Sequence, residues 1–475
     1  MNYLCINPEV KMQTRKKLLG LKWLKLALAA VLVGFLASFL AISLKHVTEH
    51  YEGVFYGKAE KYNSLLLVLP FFGLSVIYFL RLYLFKNKEN KGIKEVFEST
   101  KPGKSLPAYK IPSHFINGLI TVAFGGSTGI EVSTVVASAA VGSIAHSKES
   151  FLKKYKTELI CAGVSAGVAA LFASPIAGLL FAYEVISKKL SRSFLFTTVI
   201  AISVTWLFLF FMDEKPLFDV GISTWNYHAI PYFIILGIIA GINSVYLTKC
   251  VLQFKAWFSK IKTPYYRVVF GALLVGVGLF LFPQLFGDGY HAIKENIANS
   301  SSTPTISVLL TLAACIVLKP IITSVTLSSG GDGGVFAPSI FIGALLGLLL
   351  AFVSNRFFDA GVIPLNFMVI GMAAMLSASI SAPFTALFLV CGLVGSYVLF
   401  WPLLVVTLVS KYVAQRLCPY TVYTYAAPNY LMQIKKIHCT YLKSDMFFIK
   451  KHLLIGVDNF LPPKVKALVR NISIK

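Results

Sequence analysis

Gly125-Gly126-Ser127-Thr128-Gly129-Ile130-Glu131 is a glycine-rich loop that ends on a carboxylate, and small apolar residues then run on to Gly142. That run reads as a buried membrane helix. An ionisable group at such depth is expensive, so Glu131 is a functional-site candidate by default. A glycine-rich loop opening onto a helix also presents unpaired backbone N–H groups and the positive end of the helix dipole, a combination that binds small anions. A negative side chain held at such a place predicts a gate.

The pattern recurs. Gly125, Gly126, Gly129, Ala139 and Gly142 fall on Gly330, Gly331, Gly334, Ala344 and Gly347, each 205 residues later. Residues 163–175 (GVSAGVAALFASP) align without gaps with residues 371–383 (GMAAMLSASISAP) at nearly the same offset. Two matches in the same order predict an internal duplication of roughly 200 residues, an arrangement that places a binding site near the membrane midplane, where broken helices from both halves meet. Glu131 then stands opposite Phe336, its counterpart in the second half.

Composition agrees with a membrane setting. The 475 residues are 56% hydrophobic and only 13% charged, and the mean hydropathy is +0.74; soluble chains carry about a quarter charged residues. Apolar runs approaching the roughly 20 residues that cross a bilayer recur at Ala27–Leu44, Ser64–Phe85, Leu195–Met212, Pro231–Leu247, Val268–Phe286, Ile306–Leu327 and Val335–Val353. The expected fold is therefore an all-α polytopic membrane protein, with two inverted-topology repeats of tilted and broken helices. The expected divisions are a basic N-terminus (1–26), a first repeat (27–212), a link (213–229), a second repeat (230–425) and a basic tail (426–475). Within the tail, His452–Leu461 is too short to cross a membrane.

The net charge of +24 comes from clusters flanking apolar runs, such as Lys86, Lys88, Lys91, Lys94, Lys101 and Lys104. By the positive-inside bias the N-terminus, this loop and the C-terminus are expected in the cytoplasm of a cell-membrane protein. Contact with anionic lipid accounts for the charge better than nucleic acid does. The basic N-terminal segment lacks a small-residue cleavage site and reads as the approach to a first membrane helix. The seven cysteines are scattered without a paired motif, and no two histidines share metal-ligand spacing; no cofactor or metal is expected. Asp332, next to the second glycine run, reads as a helix N-cap, and Glu184, beside Lys188 and Lys189, as a structural group at a helix end.

Gly334-Val335-Phe336-Ala337-Pro338, following Ser329-Gly330-Gly331-Asp332-Gly333 and taken with Gly129-Ile130-Glu131, resembles the CLC family of chloride channels and chloride/proton exchangers. The resemblance runs from about residue 30 to residue 425. It implies that Glu131 is the gating glutamate, which occupies an anion site and leaves it when protonated, although Val132-Ser133 replaces the usual Gly-Pro after it. It implies that the backbone amides of Val335 and Phe336 face the anion, and that Tyr423 supplies a hydroxyl, with Tyr420 and Tyr425 as alternatives. The family's serine-bearing loop corresponds to Lys91-Gly92-Ile93, with Lys91 where the serine usually stands. Val185 occupies the position at which exchangers carry a second glutamate. The resemblance thus implies a chloride channel gated by protonation, with chloride/proton or fluoride/proton exchange as alternatives, and a homodimer with one pathway per subunit. A membrane aspartyl protease would need a second membrane aspartate and a GxGD motif, which Ser329-Gly330-Gly331-Asp332 lacks. A purely structural or receptor protein leaves both the duplication and Glu131 unexplained. No enzyme activity is expected.

Overall fold

The computed structural model describes residues 8–88, 90–218, 220–300 and 304–425, so the tail 426–475 and the segment His452–Leu461 lie outside the described residues. The described residues up to Tyr423 form one compact unit. Among the described residues the secondary structure is helical. The first half contains α1 (Pro8–Lys61), α2 (Ser64–Phe79), α3 (Ile93–Ser99), α4 (Lys110–Ala123), α5 (Glu131–Lys148), α6 (Lys156–Leu171), α7 (Pro175–Phe181) and α8 (Arg192–Phe211). The second contains α9 (Ile230–Phe258), α10 (Pro264–Leu281), α11 (Tyr290–Ala298), α12 (Ile306–Ser328), α13 (Phe336–Phe358), α14 (Pro364–Ile380), α15 (Pro383–Val394) and α16 (Phe400–Leu417).

Among the described residues, seven helical stretches are long and apolar enough to cross a membrane, and each coincides with one of the seven apolar runs. Among the described residues of the link 213–229 there is no helix beyond one turn at Tyr227–Ala229. The 26/27 boundary is not a structural break, because α1 passes through it uninterrupted. Helices α7, α14 and α15 are apolar but short, the broken elements expected around a midplane site.

The duplication is visible in packing. Helix α1 packs on α6 and α8, and α9 packs on α14 and α16; α4 meets α5 as α12 meets α13. Helices α2 with α10, α5 with α13, and α7 with α15 are equivalent partners that touch one another. An element can touch its own counterpart only where the axis relating the halves passes, so these pairs mark that axis.

The small residues that carry the repeat signal permit the closest helix contacts. A Cβ on Gly142 of α5 would lie 2.1 Å from the Leu159 carbonyl oxygen of α6, and one on Gly347 of α13 would lie 1.9 Å from the Phe367 carbonyl oxygen of α14. Helices in lipid gain little from burying apolar surface against each other, so contact this close, through van der Waals packing, is what holds them together.

Candidate functional site

Helices α5 and α13 begin at Glu131 and Phe336, and the loops that precede them cross at the axis. Gly129 pairs with Gly334 through an isolated antiparallel bridge, and Thr128 Oγ1 donates to the Gly334 carbonyl at 2.8 Å. The N-cap residues are Ile130 and Val335, and neither helix has a side-chain cap. Two N-termini with unsatisfied N–H groups thus converge on one point, a local positive potential without a full charge.

Glu131 fills that point. It is 3% exposed, and its Oε1 accepts a hydrogen bond from the Tyr290 hydroxyl at 2.7 Å. The carboxylate lies by the backbone N–H groups of Glu131 and Ala337, and its Oε2 has no hydrogen-bond partner in the protein. The fold-back of this side chain accounts for Gly129, where a Cβ would stand 1.9 Å from Oε2.

Cavities lie on the two sides of the first turn of α5. A cavity of about 120 Å³ is lined by Lys91, Gly92, Ile93, Val132, Val335 and Tyr423, among others. Another, of about 20 Å³, reaches Ile130 and Glu131. The turn Ile130–Val132 contributes to both, Val132 to the larger and Ile130 with Glu131 to the smaller.

The structure therefore gathers Lys91, Gly92, Ile93, Val335 and Tyr423 around one space, although residue 91 and residue 423 are far apart in the chain. Gly92 is the N-cap of α3 with φ 63°, a conformation open to glycine. Lys91 is exposed, and its backbone N–H donates to Glu95 Oε1. The Tyr423 hydroxyl oxygen accepts the Val335 N–H at 3.1 Å, leaving the hydroxyl hydrogen to donate elsewhere. Phe336 is 1% exposed, with its ring packed on Phe181 and Tyr423 at centroid distances of 5.7 and 6.0 Å; its contribution to the converging helix ends is its backbone. Of the alternative tyrosines, Tyr420 packs near Ala378 and Ala414 instead.

Asp332 does not cap a helix. Its carboxylate meets His114 Nδ1 at 3.2 Å and accepts from Asn90 Nδ2, which ties the loop before α13 to α4 and to the loop carrying Lys91. Glu184 Oε2 accepts from the Thr385 N–H at 2.8 Å and the Thr385 hydroxyl at 2.7 Å. It caps α15 of the opposite repeat, a structural role rather than one at the site. Sequence reading did not find Tyr290. Gly287-Asp288-Gly289 before it announces a turn, but nothing local connects it to a residue 159 positions earlier. Among the described residues no group of three or more His, Cys, Asp or Glu is placed to hold a metal ion.

Residues 72–415 match a protein-family model described as voltage gated chloride channel. Over 305 residues the chain is 27% identical to the voltage-gated ClC-type chloride channel ClcB of Shigella flexneri, which covers 63% of this chain and 71% of that protein. Among solved structures, a CLC-type fluoride/proton antiporter superposes with a TM-score of 0.71 at 23% identity, covering 84% of this chain and 96% of the other. A slow cyanobacterial Cl-/H+ antiporter gives the same TM-score and coverage at 20% identity. At these identities the structural similarities establish the fold alone.

Proposed function

The chain belongs to the voltage gated chloride channel family, and on that footing we propose that it conducts chloride, or a similar small anion, along a path that Glu131 closes when ionised and opens when protonated. The observation that carries this reading is the position of the Glu131 carboxylate, buried where the N-termini of α5 and α13 converge, on a turn whose residues line two cavities.

An anion crossing a membrane must lose part of its hydration to donors that let it go again. Backbone N–H groups and a hydroxyl do this without the tight hold of a buried cation. The Val335 region, the Tyr423 hydroxyl and the free end of α5 supply such donors. An ionised Glu131 competes for them directly. Adding a proton removes its charge and its claim on the helix ends, so the side chain yields the position to the anion.

Conduction rather than exchange is favoured by Val185, a buried apolar residue where exchangers of the family carry a glutamate. The same reading makes the protein a transporter without reaction chemistry, a homodimer with one path per subunit, and a cell-membrane protein whose basic 86–104 loop and termini face the cytoplasm. The test is anion flux from reconstituted vesicles. Wild-type flux is expected to rise with acidification, and Glu131→Gln to give flux that no longer responds to pH. Unchanged pH dependence in that variant would falsify the gate. Proton uptake driven by a chloride gradient, in fixed ratio to chloride, would replace conduction with exchange.

A further inference from the structure

Around the Asp288 carboxylate lies a set of buried charges that anion conduction does not use. Asp288 is 6% exposed and Glu52 2%, while Lys319, in the middle of α12, is fully buried. Glu52 Oε1 accepts the Asp288 N–H at 3.2 Å. Asp288 Oδ1 accepts the Tyr290 N–H at 2.8 Å. Lys319 Nζ donates to the Leu285 and Gly287 carbonyls, both at 3.1 Å, and sits 4.6 Å from the Phe341 ring centroid. Two carboxylates and one ammonium leave a negative charge uncompensated in a dry site, which a bound proton removes.

Asp288 and Glu131 share the 20 Å³ cavity, together with Lys45, Thr48, Glu49 and Tyr290. A water needs about 10–15 Å³ of such volume and two to four polar partners, so this space suits one. Two of its lining residues point to that occupant. Thr48, 1% exposed, and Glu131 each leave a buried oxygen, Oγ1 and Oε2, without a hydrogen-bond partner in the protein. Buried polar atoms are rarely left in that state. The remaining walls are apolar, Leu171, Phe172 and Leu217 among them, so they offer no other group to carry a proton. Lys45 is engaged by Glu214 at 2.9 Å, which leaves half-buried Glu49 as the titratable link outward.

We propose that Asp288 is the proton donor and acceptor of the gate and passes its proton to Glu131 through one water in this cavity. The charged and titratable groups around Asp288 are Lys45, Glu49 and Glu52 from α1, Glu131 from α5, Tyr290 from α11 and Lys319 from α12. In the forward step the Asp288 O–H bond breaks as the water gains that proton. The water gives another of its protons to the Glu131 carboxylate, so one proton moves and no electrons do. Asp288 regains a proton from solvent by way of Glu49. The Thr48 hydroxyl orients the water, and Lys319 keeps one positive charge beside the cluster, which offsets part of the negative charge that appears when Asp288 gives up its proton.

This inference rests on Glu131 being a protonation gate, and the experiment separates the two. Anion currents are recorded from proteoliposomes on a solid support after a step from neutral to acid pH. With Asp288→Asn the current is expected to rise about tenfold or more slowly, the scale of a positioned acid–base group. With Thr48→Val, which removes only a hydroxyl lacking a protein partner, a slowing of a few fold is expected, and this variant decides the matter if Asp288→Asn does not fold. Wild-type rise rates in Asp288→Asn or, where that variant does not fold, in Thr48→Val, alongside a pH-blind Glu131→Gln, overturn the relay while leaving the gate. A lower current when Asp288→Asn is added to Glu131→Gln overturns it too, because that places Asp288 on the anion path. A Glu131→Gln protein that still responds to pH removes the gate itself.

Discussion

The Tyr290 hydroxyl reaches Glu131 Oε1 at 2.7 Å, so the first residue of α11 holds the first residue of α5 at the meeting point of the two repeats. A neutral donor on a buried carboxylate stabilises its ionised form. In the proposed scheme that is the closed state, which makes Tyr290 a latch.

Tyr290→Phe is therefore expected to open the path at less acidic pH than wild type. A hydrogen bond to a charged group contributes about 1.5–3 kcal/mol, so the closed-to-open ratio at a given pH is expected to fall by about tenfold or more. Flux measured across a pH series checks this; a curve superimposable on wild type removes the latch.

Lys91 places a full positive charge on the wall of the 120 Å³ cavity while remaining exposed. Charge at such a mouth raises the local anion concentration and is screened over about 10 Å at 0.1 M salt. Lys91→Gln is expected to lower anion flux a few fold at low ionic strength, with Lys91→Arg near wild type and the gap closing in high salt. Running the series with both chloride and fluoride also shows which anion the altered loop favours.

Close helix contact predicts paired effects in the two repeats. Gly142→Ala and Gly347→Ala each put a methyl group about 2 Å from a carbonyl oxygen of the next helix, and each is expected to cost about 1–3 kcal/mol of stability. Gly57, with nothing within 4 Å of an added Cβ, is the control, and Gly57→Ala is expected to leave stability unchanged or slightly raised. Monodispersity after heating in detergent reports the difference; equal thermal midpoints for all three variants would argue against this packing.

Glu184 ties the repeats together by capping α15, accepting both the backbone N–H and the hydroxyl of Thr385. Glu184→Ala is expected to lower stability by about 1–2 kcal/mol, the size of a lost helix cap, while the pH response of flux stays in place. A lost pH response with unaltered stability would move Glu184 from the scaffold into the gate.

Much of this was legible in the chain. The seven crossing stretches stand out because long uninterrupted apolar runs have few other uses, and Glu131 stands out because carboxylates rarely sit in such runs. The repeat was readable through its glycines: Gly142 with Gly347, and Gly163 with Gly371, mark equivalent points where one helix backbone meets another. The role of Asp332 was not readable. An aspartate a few residues before a helix resembles a cap locally, yet the carboxylate of Asp332 turns to His114 and Asn90, more than 200 positions away in sequence. His114, a plain polar residue in the sequence, is fully buried as a result.

From its order of residues alone this chain determined that it crosses a membrane several times, that its halves are copies, and that a carboxylate begins the helix after a glycine loop. Those are properties of hydropathy, spacing and local backbone freedom, which act over a few turns of chain. Only the tertiary structure decided what the carboxylate faces: Tyr290 on one oxygen, the converging ends of α5 and α13 beside it, and Asp288 across a space the size of a water. These partners meet because helices from both repeats pack around a common axis, and side-chain contacts made across such an axis leave no period or motif in the sequence.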